Sequence, residues 1–233
     1  MDVDAGCKSP NFNARTMPVD MVLIHYTGME TAEKALERLC DKSSEVSAHY
    51  LIDRTGHIFS LVSEDNRAWH AGVSFWRGEK DQNSRSIGIE LENKGHEFGY
   101  ESFSQIQIGA LIRLIKDIMK RHNIKFVMGH SDVAPSRKQD PGELFPWKTL
   151  AENGIGVYTE EYLHPTKPVE EMFSNIGYDT TDAMAALKAF RMHFHPESLA
   201  SPKEASKTLE RLASVEKLFD QLEAGHKRPP GGV

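Results

Sequence analysis

The stretch Met21–Tyr26, with the sequence MVLIHY, is a continuous apolar run that only His25 interrupts, near its end. A short run of this kind predicts a strand that is buried on both faces. Helical patterns begin after Thr31 and Ser104, two residue types that favour a helix N-terminus. Strands that alternate with helices predict an α/β fold, with a mixed central β-sheet flanked by helices. The other strand-like runs are Ser86–Leu91, Ile124–Met128 and a predicted hairpin formed by Ala48–Ile52 and His57–Val62.

The pattern changes at about residue 165, where the strand-like runs end. Pro165 and Pro168 mark a linker, and three helical patterns follow, at Val169–Ile176, at Asp182–Phe194 and from Ser201 onward. The sequence therefore predicts two domains. Residues 1–165 form a sheet-containing domain, and residues 166–233 form a small three-helix module that packs against it and ends in a disordered tail.

The charge balance excludes one class of partner. The chain has 233 residues, with 28 Lys+Arg against 34 Asp+Glu and a net charge of −6. Because a general nucleic-acid-binding protein would show a basic face or tail, nucleic acid is not expected as a partner. No run of about 18 apolar residues occurs, which argues against a transmembrane segment. No oligomeric state is predicted.

The N-terminal residues lack both the basic start and the apolar stretch of a secretory signal. The sequence as it stands therefore predicts a cytoplasmic protein. Removal of a leader would instead place the protein in the periplasm or cell envelope.

The two cysteines are Cys7 and Cys40. Two cysteines cannot form a disulfide-dense scaffold or a zinc module with four thiolates. Since their separation of 33 residues fits no metal-ligand spacing, both are predicted to be ordinary thiols.

Two of the 11 histidines occupy conspicuous positions. His25 and His130 each lie at the C-terminal end of a predicted apolar strand, where α/β sheets commonly place functional groups. Asp140 follows in a loop that contains Pro and Gly. Two imidazoles and one carboxylate leave a coordination position open on tetrahedral zinc, which suits catalysis. The residues alone leave alternatives open: the histidines are structural, Asp140 is a turn residue, or Asp132 is the ligand in its place.

Three further features are candidates for chemistry. Glu90 is flanked by apolar residues, which predicts a desolvated carboxyl with a pKa raised toward the range of proton transfer; the alternative is an edge-strand glutamate that faces water. Lys138 is a candidate for oxyanion stabilisation or a solvated loop charge. The stretch Arg67–Gly72, RAWHAG, places Trp69 and His70 beside a glycine and is a candidate lining for a sugar or peptide groove, although a buried Trp is the commoner role.

Taken together and in order, these motifs resemble the zinc-dependent N-acetylmuramoyl-L-alanine amidases of the type-2 amidase family, whose relatives include phage-type amidase lysozymes and peptidoglycan recognition proteins. The sequence is most similar to the bacterial branch that acts on muropeptides, including 1,6-anhydro forms. A later stretch, IGYDTTDAMAALKAFRMHFHP, resembles the peptidoglycan-binding module that some of these enzymes carry. The motifs span about residues 9–150 and are SPNFNAR, VLIHYTG, SAHYLIDRTGHI, RAWHAG, NSRSIGIELEN and GHSDVAPSRKQDPG.

The resemblance implies a role for each matching residue. It makes His25, His130 and Asp140 the zinc ligands, Glu90 the acid/base and Lys138 a catalytic lysine. Residues 1–165 are then the zinc amidase domain, and residues 166–233 a helical peptidoglycan-binding-like module. The expected substrate-binding residues come from the RAWHAG stretch and are Arg67, Trp69, His70 and Ala71.

The expected reaction is zinc-dependent hydrolysis of the amide bond between N-acetylmuramic acid, including its 1,6-anhydro form, and the L-alanine of the stem peptide. Peptidoglycan or a muropeptide is then the substrate. The alternative is a non-catalytic peptidoglycan-binding protein of the same fold. Because such recognition proteins typically replace a zinc ligand, the complete set in this sequence favours the enzyme.

Overall fold

A central β-sheet with helices on both faces organises the chain in a computed structural model, which describes residues 3–226. The strands are β1 (Phe12–Ala14), β2 (Met21–Tyr26), β3 (Tyr50–Ile52), β4 (Ile58–Ser60), β5 (Asn66–Ala68), β6 (Ser86–Leu91) and β7 (Phe126–Gly129). The helices are α1 (Ala32–Cys40), α2 (Gln82–Arg85), α3 (Gly95–Phe98), α4 (Gln105–Arg121), α5 (His130–Val133), α6 (Trp147–Glu152), α7 (Val169–Ile176), α8 (Ala183–Phe194), α9 (Glu197–Ala200), α10 (Pro202–Ala205) and α11 (Thr208–His226).

The main sheet has five strands in the order β4-β3-β6-β2-β7. Strands β3, β6, β2 and β7 are mutually parallel, and β4 is antiparallel to β3. The prediction of a mixed sheet flanked by helices is thus confirmed. A second sheet joins β1 to β5 and was not predicted, because each of its strands has only three residues and no apolar run marks them.

The long elements match their predicted positions. Strands β2 and β6 have the predicted bounds, whereas the hairpin strands β3 and β4 are shorter than predicted. The side chain of Thr31 accepts a hydrogen bond from the backbone N–H of Lys34 at the start of α1, and Ser104 accepts one from Gln107 at the start of α4. These caps satisfy backbone donors that would otherwise be unpaired at a helix N-terminus.

The two faces of β2 pack against different layers, because successive side chains of a strand point to opposite faces. Val22 and Ile24 belong to an apolar cluster that includes Leu111 and Ile115 of α4. Met21 and Leu23 belong to another. Because His25 follows Met21 and Leu23 at intervals of two residues, its side chain projects to the same face of β2 as theirs.

The helices that follow residue 165 complete the second face of the sheet. Phe173 of α7 and Phe190 of α8 lie in the same apolar cluster as Leu23 and Met128 of the sheet. Residues on both sides of the predicted domain boundary therefore share a core. The first two predicted helices correspond to α7 and α8. The third begins where it was predicted, with Ser201 as the N-cap of the short helix α10, and α11 follows; α9 lies between α8 and α10. The predicted disordered tail, HKRPPGGV, begins at His226, which is the last residue of α11; its other residues, 227–233, lie outside the described residues.

The prediction that the two cysteines are ordinary thiols is wrong, because the structure joins Cys7 to Cys40 in a disulfide. The segment that precedes β1 runs beside the end of α1, where the Ser9 hydroxyl donates to the carbonyl of Leu39 at 2.5 Å. This tertiary contact brings the two sulfurs together, and the spacing of the cysteines in the sequence carries no signal of it. Among the described residues, no helix has the length and apolar character to cross a membrane.

Candidate active site

Strand pairing places two of the predicted site residues side by side. In the parallel pair β2–β6, His25 is the register partner of Glu90. Both stand near the C-terminal ends of their strands, and register partners in a sheet project to the same face. His25 is 1% exposed. The apolar run that precedes it fixes the strand, so the imidazole is held on a rigid element.

The end of β7 supplies the second imidazole. Gly129 is the register partner of Ile24, so the next residue, His130, emerges beside His25. The loop after α5 then returns, and the backbone N–H of Ser131 donates to the carbonyl of Asp140 at 2.9 Å. A side chain at Gly129 would place its Cβ 2.7 Å from Cδ of Pro141, so this close approach of strand and loop requires glycine.

The three predicted ligand atoms form a nearly equilateral triangle. Nδ1 of His25, Nδ1 of His130 and Oδ2 of Asp140 lie 3.0 Å from one another, and all three residues are buried. A tetrahedral zinc ion with bonds of about 2.0–2.1 Å spaces its ligands about 3.3 Å apart. The donor set and its spacing therefore fit a metal ion of this kind. Burial alone would raise the pKa of Asp140, but the two imidazoles hold it well below its usual range.

Each imidazole has a hydrogen-bond partner on the side away from the triangle. Nε2 of His130 lies 3.0 Å from the carbonyl of Ala71, to which it donates. Nε2 of His25 lies 3.1 Å from Nδ1 of His70. With Nδ1 of each histidine reserved for a metal, the proton of each must be on Nε2, which fixes both tautomers.

His70 is suited to accept from His25. Burial and the neighbouring imidazoles hold the pKa of His70 well below its usual range, so the ring is neutral. Its Nε2 lies 3.4 Å from the hydroxyl of Ser86, which in turn donates to the carbonyl of Gln82. Since Nε2 of the neutral His70 ring donates its proton to Ser86, Nδ1 of His70 is unprotonated and can accept the Nε2 proton of His25.

Glu90 provides a carboxyl group with spare hydrogen-bonding capacity. Its Oε2 is buried and has no hydrogen-bond partner among the described residues. Burial raises the pKa of Glu90 from 4.5 to about 7; the charge of Asp140 acts in the same direction, while His25 and Lys138 oppose it. A carboxyl with a pKa near neutrality can both accept and release a proton at physiological pH.

A cavity of about 340 Å³ opens over the triangle. Its lining includes the three triangle residues, Glu90 and Trp69 as well as four cationic side chains, Arg38, Lys94, Arg137 and Lys138. The backbone N–H of Lys138 donates to the carbonyl of Ala134, but its exposed ammonium group makes no hydrogen bond or ion pair with any described residue and is available to a ligand.

The RAWHAG residues do not share one role. Trp69 lines the cavity, and its Nε1 donates to Asn13. His70 also borders the cavity but is bonded to His25, as described above. Ala71 is fully buried and contributes its carbonyl to His130. Arg67 is not among the residues found to line the cavity, because its guanidinium pairs with Asp81 at 2.9 Å. The assignment of Ala71 and Arg67 to substrate stays a prediction, and the contacts that the structure shows for them are with His130 and Asp81.

Several residues of the site were not anticipated. Arg137 donates to the carbonyls of Ala71 and Val73, and its guanidinium therefore supports the backbone of residues 71–73 beside the cavity. The hydroxyl of Tyr26 lies 2.9 Å from Nδ1 of His96, a residue that also lines the cavity. The sequence contains Arg137 next to Lys138, but nothing in it shows which of the two cations is free.

Asp132, the alternative ligand, is not part of the triangle. Its carboxylate accepts hydrogen bonds from the backbone N–H of Gly129 and from the hydroxyl of Tyr178. These partners leave Asp140 as the carboxylate that faces both imidazoles.

Comparison with known proteins agrees with this geometry. The family described as N-acetylmuramoyl-L-alanine amidase matches residues 15–143, which include all three triangle residues and Glu90. The chain is 40% identical over 211 residues to N-acetylmuramoyl-L-alanine amidase AmiD of Escherichia coli, a match that covers 76% of this chain and 75% of that protein. It is 34% identical over 163 residues to 1,6-anhydro-N-acetylmuramyl-L-alanine amidase AmpD of Haemophilus influenzae, covering 60% of this chain and 86% of that one.

Two solved structures with bound ligands have the same fold over most of the chain. One is AmiD from E. coli in complex with anhydro-N-acetylmuramic acid-L-Ala-D-γ-Glu-L-Lys, with a TM-score of 0.72, 34% identity and coverage of 89% of this chain and 93% of that one. The other is AmpDH3 from Pseudomonas aeruginosa in complex with anhydromuramic pentapeptide, with a TM-score of 0.72, 34% identity and coverage of 82% and 90%. By family match, sequence identity and fold, the chain belongs to the N-acetylmuramoyl-L-alanine amidases.

Proposed function

We propose that this amidase uses zinc, held by His25, His130 and Asp140, to hydrolyse the amide between the muramic acid and the L-alanine of a muropeptide. The observation that carries the proposal is the triangle of ligand atoms, with edges of 3.0 Å, beside a buried carboxyl group that has an unpartnered oxygen. A zinc ion bound there would supply Lewis acidity, which activates water and polarises an amide carbonyl.

Glu90 is the proposed acid/base. As the register partner of His25, its carboxyl lies next to the reacting centre, and its pKa of about 7 suits a group that changes protonation during each turnover. It would first accept a proton from the attacking water and then deliver that proton to the departing alanine nitrogen. Proton transfer by a placed side chain typically contributes about 10²–10⁴-fold to the rate.

Lys138 is the proposed oxyanion-stabilising group. Its ammonium group lines the cavity, has no partner among the described residues and is near enough to lower the pKa of Glu90. A fixed positive charge beside the carbonyl oxygen would stabilise the negative charge that develops there.

The charges of the cavity suggest the substrate class. Although the whole chain carries a net charge of −6, Arg38, Lys94 and Lys138 line one cavity, where Glu97 is the acidic lining residue besides Glu90 and Asp140. The ligand of the related AmiD complex contains a γ-linked glutamate, which keeps a free α-carboxylate. We therefore infer that the stem peptide of an anhydro-muropeptide is bound here, with its carboxylates near these cations. In this assignment residues 1–165 carry the catalytic groups, and residues 166–233 form a helical accessory unit.

The test is hydrolysis of a defined anhydro-muropeptide by the purified full chain, followed by mass spectrometry of the products. Free peptide and free anhydro-muramic acid are expected, with loss of activity after chelation and recovery on addition of zinc. Glu90→Gln should retain zinc but lose at least about 100-fold in kcat, whereas His25→Ala should lose zinc itself. The control is Glu92→Gln, two residues further along the chain and just after the end of β6, where the carboxylate accepts from the backbone N–H of Arg54.

Two outcomes would contradict the proposal. Full cleavage by metal-free protein would exclude the role of zinc. Tight binding of the muropeptide without release of peptide, in zinc-loaded protein, would instead support a non-catalytic recognition protein.

A further inference from the structure

A buried carboxylate connects the metal triangle to the C-terminal helices. Asp132 is completely buried and two residues from His130. Its Oδ1 accepts from the hydroxyl of Tyr178 at 2.6 Å, and its Oδ2 lies 2.7 Å from Nδ1 of His193, which donates to it. Both donors belong to the helical unit after residue 165: Tyr178 follows α7, and His193 is near the end of α8.

We propose that Tyr178 and His193 are positioning residues for the metal ligand His130, and that they act through Asp132. The inference rests on the proposed function, since it assigns two new residues to the same site. It gives the helical unit a role in metal binding that does not depend on contact with substrate.

The path from Asp132 to His130 is short. Oδ2 of Asp132 also accepts from the backbone N–H of Gly129, at 2.8 Å, so the carboxylate fixes the Met128–Gly129 peptide, one residue before His130. On the other side of His130, its carbonyl accepts from the backbone N–H of Ala134 at 3.0 Å. The backbone around the ligand is thus held at both ends. A displacement of the carboxylate would move Gly129 and, with it, the backbone from which the His130 side chain extends.

The two donors are held rigidly by their own surroundings. The ring of Tyr178 contacts the edges of Trp76 and Phe173, with centroid distances of 5.2 and 5.5 Å. The imidazole of His193 stacks on Trp147, with centroids 3.7 Å apart and planes 17° apart. Neither ring can follow a moving carboxylate without disturbing this packing. They therefore set the position of Asp132, rather than adapting to it.

Loss of either hydrogen-bond donor to Asp132 should weaken metal binding. A buried carboxylate that loses a hydrogen bond must relax toward another partner or remain underbonded, and either response loosens the backbone at Gly129, next to His130. Removal of groups that orient metal ligands typically lowers metal affinity about 10–100-fold. The same range is expected for Tyr178→Phe, which deletes only the hydroxyl.

A matched control separates positioning from general stability. His195 follows His193 by two residues, is 0% exposed, and has Nδ1 3.2 Å from the hydroxyl of Thr208. It does not contact Asp132. His195→Gln should therefore lower the free energy of unfolding of the full chain without changing its affinity for zinc.

The experiment measures the zinc dissociation constant of the full chain by competition with a chromophoric chelator, together with the unfolding of the metal-free protein. Tyr178→Phe and His193→Leu should each weaken zinc binding about 10–100-fold. His193→Asn, whose amide keeps a donor close to the position of Nδ1, should restore most of the affinity lost in His193→Leu. This rescue would not occur if His193 only filled space.

The outcomes distinguish this inference from the proposed function. Equal zinc affinity in the wild type, Tyr178→Phe and His193→Leu would overturn the positioning role while leaving the zinc amidase intact. Weakened affinity in His195→Gln to the same extent would also overturn it, because general loosening would then explain the effect. A wild-type chain that binds no zinc would instead contradict the proposed function.

Discussion

The raised pKa of Glu90 predicts that its ionised carboxyl group destabilises the metal-free protein at neutral and alkaline pH. In the folded chain the pKa is about 7, mainly because of burial, against a usual value of 4.5. The folded protein therefore holds more protons than the unfolded protein between these two values. Its free energy of unfolding falls as the pH rises through this window, and the loss is complete above about pH 7.

The magnitude follows from the two pKa values. They differ by about 2.5, and a tenfold change in an equilibrium corresponds to about 1.4 kcal/mol, so the ionised Glu90 costs up to about 3 kcal/mol. Glu90→Gln keeps the size and removes the charge. The stability of this variant relative to the wild type should therefore increase by about 3 kcal/mol between pH 4.5 and pH 8.

The assay is urea unfolding of both proteins after removal of metal, at several pH values across this range. Comparison with the wild type cancels the titration of groups that the two proteins share. Glu92→Gln is the control: since its carboxylate accepts from the backbone of Arg54 at 2.9 Å, removal of that charge should give no such gain. A stability difference between Glu90→Gln and wild type that is the same at pH 4.5 and pH 8 would refute the reasoning.

Three further substitutions test the roles of His70, Lys138 and Lys94. His70→Ala removes the acceptor for Nε2 of His25 and should weaken zinc binding about 10–100-fold in chelator competition; unchanged affinity with a raised KM would make His70 a substrate contact instead. Lys138→Met should lower kcat about 100-fold with little change in KM or zinc affinity. Lys94→Met, from the same cavity, should mainly raise KM, and an identical pattern in both variants would argue against a special role for Lys138.

The sequence located the central strands because a strand that is buried on both faces leaves a plain apolar run. Once β2 and β7 were recognised, His25 and His130 stood out as polar residues at strand ends. The position of Asp140 could not be read in this way. It depends on how residues 134–140 fold back onto α5, and only the resemblance to a known family distinguished it from Asp132.

The supporting groups of the site could not be read from the sequence, since they depend on contacts between distant segments. The carbonyl of Ala71 meets His130 across 59 positions of the chain, and Tyr178 meets Asp132 across 46. The disulfide between Cys7 and Cys40 could not be predicted for the same reason. Arg67 was assigned to substrate because it is basic and near Trp69. In the structure its guanidinium forms an ion pair with Asp81, a partner that no local pattern predicts.

One face of strand β6 links the SIGIEL and RAWHAG motifs, which look independent in the sequence. Along SIGIEL, the alternate residues Ser86, Gly88 and Glu90 share a face, and each serves the site in a different way. Ser86 accepts from His70, and Glu90 is the proposed acid/base. Gly88 gives His70 its room, because a Cβ there would lie 2.5 Å from Cγ of that ring. His70 of the RAWHAG motif can reach His25 only because β6 carries no side chain beneath it at Gly88, so the two motifs together specify the hydrogen-bonded support of His25.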